Sequence, residues 1–113
     1  MPLFKGLLAS VVLPGAVLLG GCAHYGAAQF VTDPPGAEVI NLRDDTTLGT
    51  TPVKVYWKES DGQPKHVTVQ FVKEGYRERI TNIWVNMIYN SKDEALANAK
   101  PVRITLEKKQ GDK

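Results

Sequence analysis

The sequence is poor in the residues that build metal and nucleophilic sites. It contains one cysteine, Cys22, and two histidines, His24 and His66, among 113 residues. One cysteine and two separated histidines do not make a zinc site, and a lone cysteine forms no disulfide within the chain. The acidic run over residues 44–47 lacks the ligand spacing and the bidentate carboxylate of a calcium loop, so it predicts a solvated turn. We therefore expect no metal, no cofactor and no catalytic group.

Strong charge of either sign is absent as well. The chain carries 14 Lys and Arg residues against 12 Asp and Glu, a formal net charge of +2. So small a net charge does not indicate a basic surface for nucleic acid, and we expect no nucleic acid as a partner. The length fits one domain, and without a disulfide that domain depends on a modest apolar core.

Only one long apolar run occurs, and it ends at the cysteine. Lys5 precedes an uncharged stretch over residues 6–19, and Gly20 and Gly21 stand directly before Cys22. A basic start, a short hydrophobic stretch and small residues at its end are typical of a secretory signal. The stretch is shorter than the roughly 20 residues that a stable membrane-spanning helix needs. We predict that residues 1–21 form a signal peptide.

The quartet Leu19-Gly20-Gly21-Cys22 resembles the bacterial lipobox. In that pattern the cysteine thiol receives a diacylglycerol and the leader is cut before the cysteine, which here means between Gly21 and Cys22. The resemblance implies a triacylated Cys22, and two or more acyl chains anchor a protein stably in a membrane. Ala23 stands where an inner-membrane retention signal usually has Asp, which favours the outer membrane, facing the periplasm. The alternative is a secreted protein with a free thiol at Cys22.

The rest of the chain divides into a tether, a domain and a tail. Residues 23–29 are small and non-periodic, so residues 22–29 are expected to be the lipidated cysteine and its tether. Residues 30–108 form the predicted domain, and residues 109–113 a polar tail. A tether of seven residues extends to about 25 Å at most, so the domain is expected to work close to the membrane surface.

The domain shows the two-residue period of β-strands. Three segments alternate apolar with polar residues, at Val53/Val55/Trp57, Val67/Val69/Phe71 and Val102/Ile104/Leu106. Residues 43–49 are polar and end in glycine, which predicts a loop. The apolar phase shifts between Ile80 and Ile83, which predicts a bulge or a bend there.

The sequence predicts a helix in one segment. Ser91 and Glu94 form a capping box, and alanines follow, so we predict a helix over residues 92–99, before Pro101. Short strands with Gly/Pro turns between them indicate a small antiparallel β-sandwich. The predicted fold is therefore all-β, with one short helix inserted before the last strand.

Three turn motifs carry a family resemblance. Pro34-Pro35-Gly36-Ala37, Gly49-Thr50-Thr51-Pro52 and Glu74-Gly75-Tyr76 follow one another in that order. Together they are similar to the PEGA domain, which shows Pro-x-Gly-Ala, then Gly-x-Thr-Pro, then Gly-Tyr. The sequence departs from the family in Pro35, where the family has Glu, and in a longer segment at residues 87–100. The resemblance implies a small β-sandwich of bacterial envelope and surface proteins, with no activity of its own.

A first candidate binding surface lies before the predicted helix. If Ile83 and Val85 point inward, Trp84 points outward, and Met87, Ile88 and Tyr89 follow it. An exposed aromatic and apolar group of this kind commonly marks a protein contact. The alternative is that the helix folds back and buries Trp84.

A second candidate surface is basic. Arg77 and Arg79 share one strand face and could meet anionic groups, with Tyr56 or Trp84 available to stack on a sugar. The alternative is a polar face that keeps an edge strand soluble. The sequence thus predicts a non-catalytic envelope lipoprotein, anchored to the membrane through Cys22, that docks another envelope protein as an accessory subunit of a larger assembly. The alternative function is binding of cell-wall glycan or lipopolysaccharide. The oligomeric state stays open.

Overall fold

The structure, a computed structural model, describes residues 23–110. Within that range the chain forms seven strands and one helix, which confirms the all-β class and the short helix before the last strand. In chain order they are β1 (His24–Asp33), β2 (Glu38–Asn41), β3 (Thr46–Thr50), β4 (Val53–Glu59), β5 (Lys65–Val72), β6 (Arg79–Val85), α1 (Lys92–Ala97) and β7 (Lys100–Thr105).

The strands build two sheets that enclose one core. A three-stranded sheet has the order β4-β1-β7, and a four-stranded sheet has the order β3-β2-β5-β6. The predicted alternation is confirmed on β5, where Val67, Val69 and Phe71 are all buried. Phe30 of the first sheet meets Phe71 of the second edge to face, with ring centroids 5.9 Å apart. Such a contact ties the two sheets together at the centre of the sandwich.

The predicted tether is wrong for residues 24–29, because they form the first half of β1, the central strand of its sheet. Their small side chains reflect close packing. A Cβ added to Gly26 would lie 2.5 Å from the Asn86 carbonyl oxygen and 2.7 Å from the Met87 sulfur. Ala28 is part of the core, and Ala27, on the opposite face, is also buried. The residues of this run are small because other parts of the chain pack closely against both faces of the strand.

One pairing departs from the predicted antiparallel arrangement. β1 pairs antiparallel with β4, from His24 opposite Glu59 to Phe30 opposite Val53. It pairs parallel with β7, from Ala28 opposite Lys100 to Asp33 opposite Thr105. The first and last strands are therefore neighbours, and the start of β1 lies at the opposite end of the sandwich from the end of β7.

Two local predictions fail around β3 and β6. Residues 43–49 are not all loop, since β3 begins at Thr46 after a turn in which Asp45 adopts a positive φ of 61°. β6 contains no bulge, because its register with β5 runs without interruption from Lys65 opposite Val85 to Phe71 opposite Arg79. Ile80 therefore lies on the outer face of β6, where it is 56 % exposed. The register shift of this sheet falls between β2 and β3 instead, at Val39/Ile40.

The helix is docked on the outer face of the three-stranded sheet. The Ser91 hydroxyl accepts a hydrogen bond from the Glu94 N–H at 3.1 Å, as a capping residue does. α1 contacts β1 and β4 and ends at Ala97, two residues earlier than predicted. Ala95 is fully buried, although it lies outside the core between the sheets. The helix and the buried outer-face Ala27 thus make a second, smaller apolar layer.

The first two turn motifs meet at one point of the fold. The Thr51 hydroxyl accepts hydrogen bonds from the Ala37 N–H at 2.9 Å and the Gly36 N–H at 3.1 Å. It also bonds the Thr32 hydroxyl at 2.6 Å. Gly36 has a φ of 95° and Gly49 one of 145°, a region that favours glycine. The motif residues therefore hold the β1–β2 and β3–β4 connections together and serve the fold.

Candidate functional site

The outer face of β5 and β6 is the candidate site, because α1 covers the other sheet. On β6 this face presents Ile80, Asn82 and Trp84, and the opposing residues of β5 are Gln70, Thr68 and His66. We call these six residues the docking face. Ile80 is 56 % exposed and Trp84 is 58 % exposed.

The polar residues of the docking face bond to one another and to a neighbour. The Thr68 hydroxyl donates to the Asn82 Oδ1 at 2.6 Å, and the Gln70 side chain donates to Glu78 at 2.8 Å. The His66 and Trp84 rings lie 4.8 Å apart, centroid to centroid, with 43° between their planes. These contacts hold the face in one arrangement and leave two large apolar side chains, Ile80 and Trp84, exposed to solvent.

The predicted group of Trp84, Met87, Ile88 and Tyr89 does not stay together. Trp84 points outward between the buried Ile83 and Val85, as predicted, and Ile88 is 62 % exposed. The prediction of Met87 as a contact residue is wrong, since its side chain is fully buried in the core. After Val85 the chain crosses from one sheet to the other, and the Met87 side chain fills the space over Gly26.

Tyr89 is half-buried rather than free. Its N–H donates to the Tyr25 carbonyl at 3.0 Å, and the Tyr25 N–H donates to the Tyr89 carbonyl at 2.8 Å. These two bonds extend the three-stranded sheet beside β1. Tyr89 and Ile88 therefore belong to the end of the sandwich where β1 begins, away from the centre of the docking face.

The alternative in which the helix covers Trp84 is wrong, since α1 lies on β1 and β4 of the other sheet. Sequence reasoning missed Ile80, because the assumed bulge turned it inward. The sequence did contain the signal. In a regular strand Ile80, Asn82 and Trp84 lie on one face, because they are two residues apart, and Ile83 and Val85 lie on the other face. A single uninterrupted strand accounts for both sets.

Arg77, Arg79 and Tyr56 do not form one site. The Arg79 guanidinium donates to the Thr105 carbonyl at 3.1 Å, at the end of β7. Glu78 and Glu107 lie in the same shallow depression as the two arginines, so the local charge is mixed. Tyr56 lies on β4 of the other sheet, beside Tyr25, with ring centroids 6.4 Å apart. The version of the predicted glycan surface that combines Tyr56 with the arginines is therefore not assembled.

Two cationic side chains join the edge strands β6 and β7 across the open side of the sandwich. Arg79 of β6 reaches the Thr105 carbonyl of β7, and Lys100 of β7 donates to the Trp84 carbonyl of β6 at 2.9 Å. Charged side chains on an edge oppose strand addition by another chain. This favours the structural reading of Arg79 that the sequence left open.

The acidic run is solvated, as predicted, but only its first half is a turn: Asp44 and Asp45 lie in the turn, whereas Thr46 and Thr47 begin β3. Asp44 is exposed, and its carboxylate accepts hydrogen bonds from the Thr46 hydroxyl at 2.7 Å and the Thr46 N–H at 3.2 Å. The hydroxyl bond first, and then the backbone bond, lower the pKa of Asp44 below its ordinary value. Among residues 23–110, no group of three or more His, Cys, Asp or Glu side chains is placed to hold a metal ion.

The predicted cleavage and lipidation residues, Gly21 and Cys22, lie outside the described residues. In the part of the chain that the structure describes, no helix has the length and apolar character needed to cross a membrane. No family model matches the chain, and neither does any curated protein or solved structure. The resemblance to PEGA domains therefore rests on the motif residues alone.

Proposed function

We propose that this chain is a lipid-anchored, non-catalytic module of the bacterial envelope that binds another envelope protein through its docking face. It acts as an accessory subunit of a larger assembly. The observation that carries the proposal is the pair of exposed apolar side chains, Ile80 and Trp84, on a sheet face whose polar residues are already bonded. Trp is enriched at the centres of protein contacts, and Ile80 adds a second exposed apolar side chain on the same face, with Asn82 between the two.

The protection of the edge strands β6 and β7 supports binding by a face rather than by strand addition at these two edges. A partner strand would have to displace Lys100 from the Trp84 carbonyl, or Arg79 from the Thr105 carbonyl. The docking face needs no such rearrangement. Rigid surfaces bind with a smaller entropic cost than surfaces that must first be ordered.

The lipid anchor is supported by the leader and by Leu19-Gly20-Gly21-Cys22. The PEGA-like motifs support the same placement in the envelope, since that family occurs in envelope proteins. The hydrogen bonds of the Thr51 hydroxyl, which join the first two turn motifs, lie away from the docking face. The motifs therefore do not determine which residues occupy the docking face, and these can differ between members of such a family.

Photo-crosslinking in living cells tests the proposal. A photoreactive residue is placed at Trp84 or, separately, at Ile80, and the adducts are identified by mass spectrometry. A matched control position is Arg103, which is exposed on β7 of the other sheet. We expect the same discrete protein adduct from both docking-face positions and none from position 103.

Two further variants fix the interpretation. Cys22→Ser should abolish the adduct, because the protein then no longer reaches its partner at the membrane. Trp84→Ala should weaken binding of the identified partner by about 2 kcal/mol, roughly 30-fold, as truncation of a central Trp does. Absence of any protein adduct from folded protein would contradict the proposal. Retention on isolated cell wall would then favour the glycan alternative.

A further inference from the structure

The place where β1 begins sets how the domain meets the membrane. His24, the first residue of β1, follows Cys22 by two residues. Two residues span about 7 Å at most. If Cys22 carries the lipid, as the proposed function requires, the end of the sandwich at His24 is held within that distance of the bilayer surface.

This end, which we call the amino end, contains three parts of the chain. They are the start of β1, the turn over residues 60–64 between β4 and β5, and the segment over residues 86–90. A Cβ on Gly62 would lie 3.6 Å from the His24 ring and 3.7 Å from the Met87 carbonyl oxygen. Tyr89 is fixed to Tyr25 by two backbone hydrogen bonds. Ile88 stands between these anchored neighbours, so its exposed side chain stays at the amino end.

The amino end is rich in aromatic side chains. Of the four tyrosines in the chain, Tyr25 and Tyr89 lie here, and Tyr76 lies near the opposite end. Tyr56, in the middle of β4 opposite Ala27, places its ring 6.4 Å from that of Tyr25. The Lys58 amino group lies 5.9 Å from the centroid of the Tyr25 ring, and the Lys92 amino group 5.2 Å from that of Tyr56. Tyrosine and lysine of this kind are enriched where a protein meets lipid headgroups, because they combine an apolar body with a polar tip.

The charges at the amino end are balanced. Lys65 forms an ion pair with Glu59 at 2.7 Å, and Asp61 lies in the turn between them. The other two lysines of this region, Lys58 and Lys92, raise the count to three cations, and Asp93, next to Lys92, brings the acidic residues to three as well. Attraction to anionic lipid is therefore weak, and the acyl chains on Cys22 supply the membrane affinity. The side chains of the amino end instead determine the orientation of a domain that is already at the membrane.

We propose that the amino end rests in the headgroup region of the bilayer, with Ile88 inserted and the tyrosines beside it at the interface. This inference depends on the lipid anchor of the proposed function. β5 starts at the amino end and leads away from the membrane, and β6 returns antiparallel to it, so the docking face on these two strands is presented sideways. The partner then approaches along the membrane rather than from above it.

A single added thiol tests the contact. Cys22 is the one cysteine of the chain, so acylation leaves no free thiol and Ile88→Cys introduces a unique labelling site. The full acylated protein is spin-labelled at position 88 and reconstituted in vesicles of phosphatidylethanolamine and phosphatidylglycerol. The matched control is Glu74→Cys, in an exposed turn at the opposite end of β5.

The accessibility of each label to oxygen and to a water-soluble nickel complex gives its position. We expect the label at position 88 to lose access to the nickel complex and gain access to oxygen, and the label at position 74 to remain in water. Equal nickel access at the two positions, with one label per chain, would overturn the membrane contact while leaving the lipid anchor intact. Two labels per chain and no vesicle binding would overturn the anchor itself, and the contact with it.

Discussion

Removing one buried hydroxyl at Thr51 should destabilise the whole domain. Thr51→Val keeps the size of the side chain and the backbone hydrogen bonds of residue 51, and deletes only the oxygen that the motif turns share. The Ala37 N–H then loses the only partner that the described residues give it, whereas the Gly36 N–H keeps the Thr51 carbonyl at 3.0 Å. The change therefore orphans one buried donor rather than two.

The magnitude follows from the contacts. Thr32 donates its hydroxyl hydrogen to the Pro34 carbonyl at 2.8 Å, so in the 2.6 Å contact it is the Thr51 hydroxyl that donates to Thr32. Losing that bond costs about 0.5–1.5 kcal/mol, and the orphaned Ala37 N–H costs about 1–3 kcal/mol. The combined loss of about 1.5–4.5 kcal/mol is a large part of the roughly 5–13 kcal/mol expected for a domain of this size.

Urea unfolding followed by circular dichroism, on chains carrying Cys22→Ser to prevent acylation, measures the loss. Thr50→Val is the matched control, because Thr50 is exposed next to Thr51 and should change stability by less than about 0.5 kcal/mol. Thr51→Ser keeps the hydroxyl and should lose less than Thr51→Val. The reasoning is refuted if Thr51→Val unfolds at the same urea concentration as the Thr50→Val control.

Three further predictions concern packing and charge. Gly26→Ala should cost at least about 1–3 kcal/mol in urea unfolding, because the added methyl meets a backbone carbonyl at 2.5 Å; a neutral result would contradict the close packing of β1. Met87→Ala should cost about 2–5 kcal/mol, whereas Ile88→Ala should cost about 0.5 kcal/mol or less, and equal losses would place Met87 outside the core. Asp44 contributes stability above its ordinary pKa that is lost as the pH falls through its lowered pKa in the folded state; in a carboxyl NMR titration, Thr46→Val should raise the pKa of Asp44, and an unchanged value would exclude that hydrogen bond as the cause.

Alternation and turn chemistry were sufficient to predict the sandwich, because strands with one buried face carry their period in the sequence. Val67, Val69 and Phe71 show this directly. The turn motifs also have local causes, such as the positive φ at Gly36 and Gly49. These features depend on the residue itself and its close neighbours, which is why a single sequence reveals them.

β1 could not be predicted in the same way, because its residues are small for a reason that lies elsewhere in the chain. Gly26 is required by the crossing segment at Asn86 and Met87, about sixty residues later in sequence. The same crossing explains why Met87, next to an exposed Ile88, belongs to the core. For the candidate site, the alternation of the strand correctly predicted that Trp84 points outward. The assumed bulge hid the fact that Ile80 lies on the same outer face.

The parallel pairing of β1 with β7 determines how the domain carries mechanical load. Because β1 starts at one end and β7 finishes at the other, a pull on the two ends of the chain slides these strands past each other. The hydrogen bonds between Ala28–Asp33 and Lys100–Thr105 are then loaded together instead of opening one by one. If Cys22 is held in a membrane and the carboxyl terminus is drawn away from it, the most resistant direction of the fold lies along that line.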